Sequence, residues 1–199
     1  GNGLHVQGVD AMAHDITVRN CHIYGNGRKG GGRADREHNV YTEASGMTIE
    51  YCLIGRLREG SGGIAIKDRS ANTVIRYNKI YSGARALDLV EPENQSTHDC
   101  ETNEVSGDGM HEEPGFDTTW VYGNIIINGP SNFLTSGNMI HYGADNCPNT
   151  SRSGVLKFYN NTVYTDLDAN DQYYTRLFDI TSSRETVELR NNVFYNAGS

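Results

Sequence analysis

Long apolar runs are missing from this chain: no stretch approaches 18 apolar residues, so no membrane-spanning helix and no membrane partner are expected. Basic residues are scarce, with 17 Lys and Arg against 25 Asp and Glu for a net charge of −8. That balance argues against a nucleic-acid partner, because phosphate neutralisation needs a basic face. Helical stripes are absent too. No window repeats apolar residues at i, i+3, i+4 and i+7, and Gly (23 residues) and Asn interrupt every segment long enough to try. The four cysteines form no C-x-x-C and no close Cys/His cluster, which argues against the usual zinc sites. No leader segment is recognisable, so the numbering is expected to start after processing or inside a longer protein.

What the chain has is alternation. Within Gly62–Gly83, Ile64-Ala65-Ile66-Lys67 alternates inward and outward, the polar turn Asp68–Asn72 follows, and Thr73–Arg76 alternates again. Tyr77-Asn78 then breaks the run before Lys79-Ile80-Tyr81. The second half of this unit, apolar-x-x-(Asn or Cys)-x-apolar, recurs with its bend residue at Cys21, Cys52, Asn78, Asn103, Asn124, Asn161 and Asn192. The bends lie 21 to 37 residues apart, so the corner is fixed while the connections vary, as in a solenoid.

These features predict an all-β, single-stranded right-handed parallel β-helix of about seven coils, with residues 1–199 as one domain and equivalent strands about 4.8 Å apart. A hydrophobic content of 36% is low for a globule but enough for a thin stack whose every second strand residue faces water. The bend residues are expected to adopt the left-handed conformation and pass side-chain amide bonds to the next coil. Tyr24, Tyr81, Tyr164 and Tyr195 each follow a repeat's last apolar residue and are expected to form a column. No capping helix is evident at either end, so both ends read as uncapped: the chain is expected to be part of a longer one or to self-associate end to end.

The motifs Glu37-His-Asn-Val-Tyr41, Ile66-Lys-Asp-Arg-Ser-Ala-Asn-Thr-Val-Ile75, Leu87-Asp-Leu89, Met139-Ile-His-Tyr-Gly143 and Asn160-Asn-Thr-Val163 carry a resemblance. Through them the chain resembles the pectate-lyase-like right-handed parallel β-helix superfamily, and more narrowly the bacterial right-handed parallel β-helix repeat proteins. The resemblance covers nearly the whole chain and implies fold more than function. Lys-x-x-Ser-x-Asn, Lys67 to Asn72, is similar to the base strand of alginate lyases and chondroitinase B, which implies a polysaccharide lyase with Lys67 as base; those enzymes bind calcium through carboxylates before the Lys, where Ser61-Gly62-Gly63 stand here. The next coil here reads Leu87-Asp-Leu-Val90 where those enzymes carry an Arg.

Aligning coils by their bends gives an outward row of His5, Asn39, Ala65, Asp88 and His111, a second of Gln7, Tyr41, Lys67 and Val90, and Glu43, Arg69 and Glu91 at the strand ends. β-Elimination on a uronic-acid polysaccharide needs neutralisation of the sugar carboxylate, a base for the C5 proton and an acid for the leaving oxygen. Lys67, Tyr41, Asp88 and Arg69 are the catalytic candidates. Asn39, His5, Glu43, Glu91 and His111 are the substrate-binding ones, with Arg33 and Arg36 from the basic, Gly-rich loop 25–36. Glu112 and Glu113 are candidate calcium ligands.

The competing reading is a solvated ladder of stacked opposite charges, Lys67, Arg69, Asp88 and Glu91, on a non-catalytic glycan-binding or self-assembling module. His38 aligns with Ile64 and reads as a hydrogen-bonded core histidine. Cys21 and Cys52 share a ladder position in adjacent coils, within disulfide range, though a buried free pair fits as well; Cys100 and Cys147 stay open. The even cysteine count and acidic charge point to a secreted or cell-surface protein, and the resemblance implies a bacterial one, extracellular or periplasmic.

Overall fold

The computed structural model describes residues 1–8, 11–30, 35–93, 109–129, 138–166 and 176–198. Its strands come in successive groups. The first holds β1 (Leu4–Gln7), β2 (Ala13–Arg19) and β3 (His22–Ile23); the second holds the long β4 (Val40–Glu50) and β5 (Leu53–Ile54). There follow β6 (Ile66–Asp68), β7 (Val74–Arg76) and β8 (Lys79–Tyr81), then β9 (Leu87–Leu89), β10 (Thr118–Tyr122) and β11 (Ile125–Asn128). The last two groups are β12 (Asn138–Tyr142), β13 (Val155–Tyr159) and β14 (Thr162–Thr165), and β15 (Arg176–Ile180), β16 (Thr186–Arg190) and β17 (Val193–Asn196).

The strand pairings are parallel, and each joins a strand to its counterpart in a neighbouring group. β15-β12-β9-β6-β4 form one path, joined by β1; β4 continues into β7-β10-β13-β16, joined by β2; β17-β14-β11-β8-β5-β3 form a separate sheet. The molecule is therefore all-β, built of curled parallel sheets and consistent with a parallel β-solenoid. Among the described residues the helical elements are two short 3-10 turns, Met110–Glu112 and Pro148–Thr150. Among the described residues no helix is long and apolar enough to cross a membrane.

The core follows from the strand period of two. Leu4, Val40, Ile66, Leu87, Ile140 and Phe178 stack in register on the inner face of the first sheet. Ile49, Ile75, Val121 and Phe158 do so on the second, and Ile54, Ile80, Ile126 and Val163 on the third. These rows meet in one buried cluster. Each fully buried aliphatic side chain stabilises the stack by about 1.5–3 kcal/mol, so a strand of three residues can be held by its inward members.

The bend column is present in detail. Cys52 N donates to Asn78 Oδ1 at 2.9 Å, Asn78 N to Asn124 Oδ1 at 2.9 Å, Asn124 N to Asn161 Oδ1 at 3.0 Å and Asn161 N to Asn192 Oδ1 at 2.9 Å. The side-chain amides run back along the stack, Asn78 Nδ2 reaching Ile49 O and Asn124 Nδ2 reaching Ile75 O, both at 2.9 Å. The rung expected at Asn103 lies outside the described residues, and Asn78 bonds Asn124 directly.

The left-handed conformation belongs to the residue before each rung: Asn20, Tyr51, Tyr77, Asn160 and Asn191 all have φ between 53° and 57°. Gly123 fills that place before Asn124, where a Cβ would meet the Tyr77 ring at 2.5 Å. The rung side chain is thus free to face its neighbours, while the turn is made one position earlier. Cys21 and Cys52 are free thiols, and Cys21 N donates to Cys52 Sγ at 3.4 Å. The expected tyrosine column is broken, because Ile127 stands between Tyr81 and Tyr164.

Met110–Glu112, whose His111 the alignment by bends places in an outward strand row, instead forms a 3-10 turn. Gly109 and Gly115 flank it, and Met110 anchors it by packing with Phe116 and Ala71 in a satellite cluster beside β4 and β6.

Candidate functional site

The register of the first sheet decides which outward residues are neighbours. His5, Tyr41, Lys67, Asp88, His141 and Asp179 form one row across β1, β4, β6, β9, β12 and β15. Tyr41, Lys67 and Asp88 therefore come together as expected. Asn39 does not join them: it is fully buried, donates from Nδ2 to Gly55 O at 2.7 Å and accepts from Asn26. His111 also falls off the row, since its segment is a turn rather than a strand. Sliding a strand by two residues keeps its inward and outward faces but changes its partners, so alignment by bends placed Asn39 where Tyr41 stands.

The row points outward, and its middle is nearly dry, with Lys67 7%, Asp88 0% and His141 6% exposed, while His5 at its end is exposed. Groups from outside the row close over it. Lys67 Nζ donates to Asp88 Oδ2 and to Asp145 Oδ2. Arg85 Nη1 lies 2.5 Å from Asp88 Oδ1 and 3.4 Å from Asp145 Oδ1. His141 Nδ1 meets Asp88 Oδ1 at 2.8 Å, and its Nε2 meets Thr181 Oγ1 at 3.1 Å. Burial alone would push the Asp88 carboxyl up, but the His141 hydrogen bond and the Lys67 and Arg85 charges outweigh it and hold the group well below the usual carboxylate range.

A second knot lies one step along the strands. Tyr41 Oη donates to Glu93 Oε2 at 2.5 Å, and Arg69 lies near Glu93, Asp145 and Glu91 at 3.5–3.6 Å. The Arg69 guanidinium sits 5.9 Å from the Tyr41 ring centre. Burial, with Glu93 beside it, keeps the Tyr41 phenol protonated well above its ordinary range despite the opposing pull of Arg69. Arg69 Nε is buried and has no hydrogen-bond partner among the described residues.

The remaining candidates take supporting places. Glu91 accepts the backbone amides of Asp145, Asn146 and Cys147 at 2.7–3.2 Å, so it fixes the loop that brings Asp145 to Lys67. Glu43 accepts from Gln7 Nε2 and from Glu93 N. His5 meets the Tyr41 ring edge-on at 5.0 Å. His38 is buried and accepts from Ile64 N, as a core histidine should; burial, with Lys67 near, holds its pKa down to about 4. Arg36 is exposed and outside the cluster, and Arg33 lies outside the described residues.

Glu112 and Glu113 are separate from this site, Glu113 accepting from Ser45 Oγ at 2.8 Å. The group with metal-ligating spacing among the described residues is instead Asp88, His141 and Asp145, whose ligand atoms lie within 4.8 Å of one another. Lys67 and Arg85 already rest on those two carboxylates.

Sequence reasoning missed Arg85, His141, Asp145 and Arg152. His141 was legible, since Asn138–Tyr142 alternates and places it outward. Arg152 was not: it leaves the same loop as Asp145, is fully buried, and binds Asp68 Oδ2 at 2.8 Å and Thr119 Oγ1 at 3.0 Å. Asp68 is an inward carboxylate that also accepts from Thr42 and Thr73, so the loop's far end is tied to the core beneath the site.

Compared with known proteins, the chain matches no family model, no curated protein and no solved structure.

Proposed function

We propose that the protein is a right-handed β-helix of the pectate-lyase-like kind and a secreted or cell-surface, carbohydrate-active enzyme that cleaves a uronic-acid polysaccharide by β-elimination. The observation that carries the reading is the dry outward row of Tyr41, Lys67, Asp88 and His141, ringed by Arg69, Arg85 and Asp145. Perturbed titratable groups packed on the outside of a rigid sheet are a functional signature. The disulfide at Cys147 supports an oxidising compartment.

In this reading the substrate chain lies across the strands. Arg69 neutralises the sugar carboxylate, the work done by calcium in the lyases the chain resembles. Asp145 takes the C5 proton, the C4–O bond breaks as the C4–C5 double bond forms, and Lys67 delivers a proton to the leaving oxygen. Lys67 donates to both neighbouring carboxylates, so its role is that of acid rather than the base that its motif implied. Donor and acceptor side by side suit removal and delivery on one face of the ring.

One observation favours a non-catalytic glycan-binding module: Lys67 and Arg85 find their counter-charges within the cluster itself. Incubation with polygalacturonate, alginate and chondroitin separates the two readings. The lyase reading expects rising ultraviolet absorbance from the unsaturated product, abolished in Asp145→Asn. Retention of a glycan with no absorbance change overturns it in favour of the module.

A further inference from the structure

We propose that Tyr41 and Arg69 form a carboxylate-binding subsite that Glu93 fills in the absence of ligand. The assignment rests on the polysaccharide reading for the identity of the ligand, a uronate carboxylate, but its geometry stands apart from the acid–base pair. A single oxygen, Glu93 Oε2, takes the Tyr41 hydroxyl at 2.5 Å and lies 3.6 Å from Arg69 Nε. The two donors are built in: Tyr41 is 7% and Arg69 5% exposed. The acceptor is not, for the Glu93 side chain is 59% exposed.

Such an asymmetry is that of a receptor and an occupant. A solvent-facing carboxylate here caps two fixed, buried donors. Arg69 Nε is also buried without a hydrogen bond, so Glu93 leaves one donor unfilled. An unmet buried donor is destabilising, and a carboxylate seated slightly deeper would bond both Nε and the phenol. The Arg69 Nη groups are engaged elsewhere, Nη1 donating to Glu91 O and Nη2 near Asp145, which fixes the plane of the fork. Glu93 itself is placed by its backbone N, which donates to Glu43 at 3.0 Å, so removing its side chain leaves that anchor intact.

An internal occupant weakens the apparent affinity of any external carboxylate by the fraction of time the subsite is open. The test follows the Arg69 Nε–H resonance of 15N-labelled protein during titration with D-glucuronate, with glucose as neutral control and Arg69→Lys to assign the signal. In Glu93→Ala the resonance shifts and saturates at a glucuronate concentration lower than in the parent protein by about tenfold or more. Glu93→Gln falls between them, and glucose moves the signal in neither. Equal saturation in parent and Glu93→Ala, or an equal response to glucose, overturns the subsite. Glucuronate binding with no cleavage of any polysaccharide keeps the subsite and overturns the elimination reading. Cleavage of a polyuronate with the same KM in parent and Glu93→Ala does the reverse.

Discussion

Two outward rows run across different strands, sharing only β4, and have different fates. On the first sheet, His5, Tyr41, Lys67, Asp88, His141 and Asp179 are stacked; on the second, Arg19, Glu50, Arg76, Tyr122, Tyr159 and Arg190. The second row settles its charges with its immediate neighbours. Glu50 accepts from Arg19 and Arg76 at 2.5 and 2.6 Å, Arg76 donates to Tyr122 Oη at 2.8 Å, and the Arg76 hydrogen bond is the main cause holding the Glu50 carboxyl low. Its ends stay wet, with Arg190 70% exposed. In the first row Lys67 and Asp88 reach beyond their row neighbours, and Arg85 and Asp145 arrive from loops to meet them, as Glu93 does for Tyr41. A stacked row of charge is scaffold when its neighbours suffice; it becomes a site when loops must complete it.

The sharpest way to break this contrast is to remove one carboxylate from each row. Asp88→Asn leaves Lys67 and Arg85 without their shared buried counter-charge and is expected to lower stability by about 3–5 kcal/mol in denaturant melts. Glu50→Gln is expected to lose only a fraction of that. Equal losses would place both rows in the same class.

Acidification probes the first row next. His38, behind Tyr41 with ring centres 6.0 Å apart, has its pKa lowered from 6.5 to about 4. The unfolded chain therefore binds that proton more tightly, so this contribution is whole above pH 6.5 and is lost as pH falls to about 4. The loss amounts to about 3 kcal/mol. Asp88, held low, adds a further loss below the usual carboxylate range. Stability measured against pH should lose the 6.5-to-4 slope in His38→Gln, while Arg76→Gln keeps it. The smallest effect belongs to the exposed end of the second row: Arg190→Ala should change stability by less than about 1 kcal/mol, and less still in high salt.

Strand alternation and the Asn bends made the parallel stack, its inward rows and the outward faces of Tyr41, Lys67 and Asp88 legible in the sequence, although Asp88 was aligned in a different row from the other two. What stayed hidden has two physical sources. A period of two cannot distinguish a register from one slid by two, which misplaced Asn39, and it does not mark the turn that takes His111 off the row. Loop geometry has no period at all, so Asp145 and Arg152 could not be assigned to the site before their backbone path was known. Glu91, named from the sequence as a substrate-binding candidate, has its carboxylate on three loop amides, contacts that no strand period reports.

The central claim, that the first row is a site and the second is scaffold, is tested most directly by polyuronate cleavage in Lys67→Gln and Arg76→Gln side by side. Lys67→Gln should lose turnover by about a hundredfold or more while circular dichroism still reports a folded parallel-β chain, and Arg76→Gln should match the parent. Equal activity in the two variants, or a parent protein that cleaves none of the polyuronates, would contradict it.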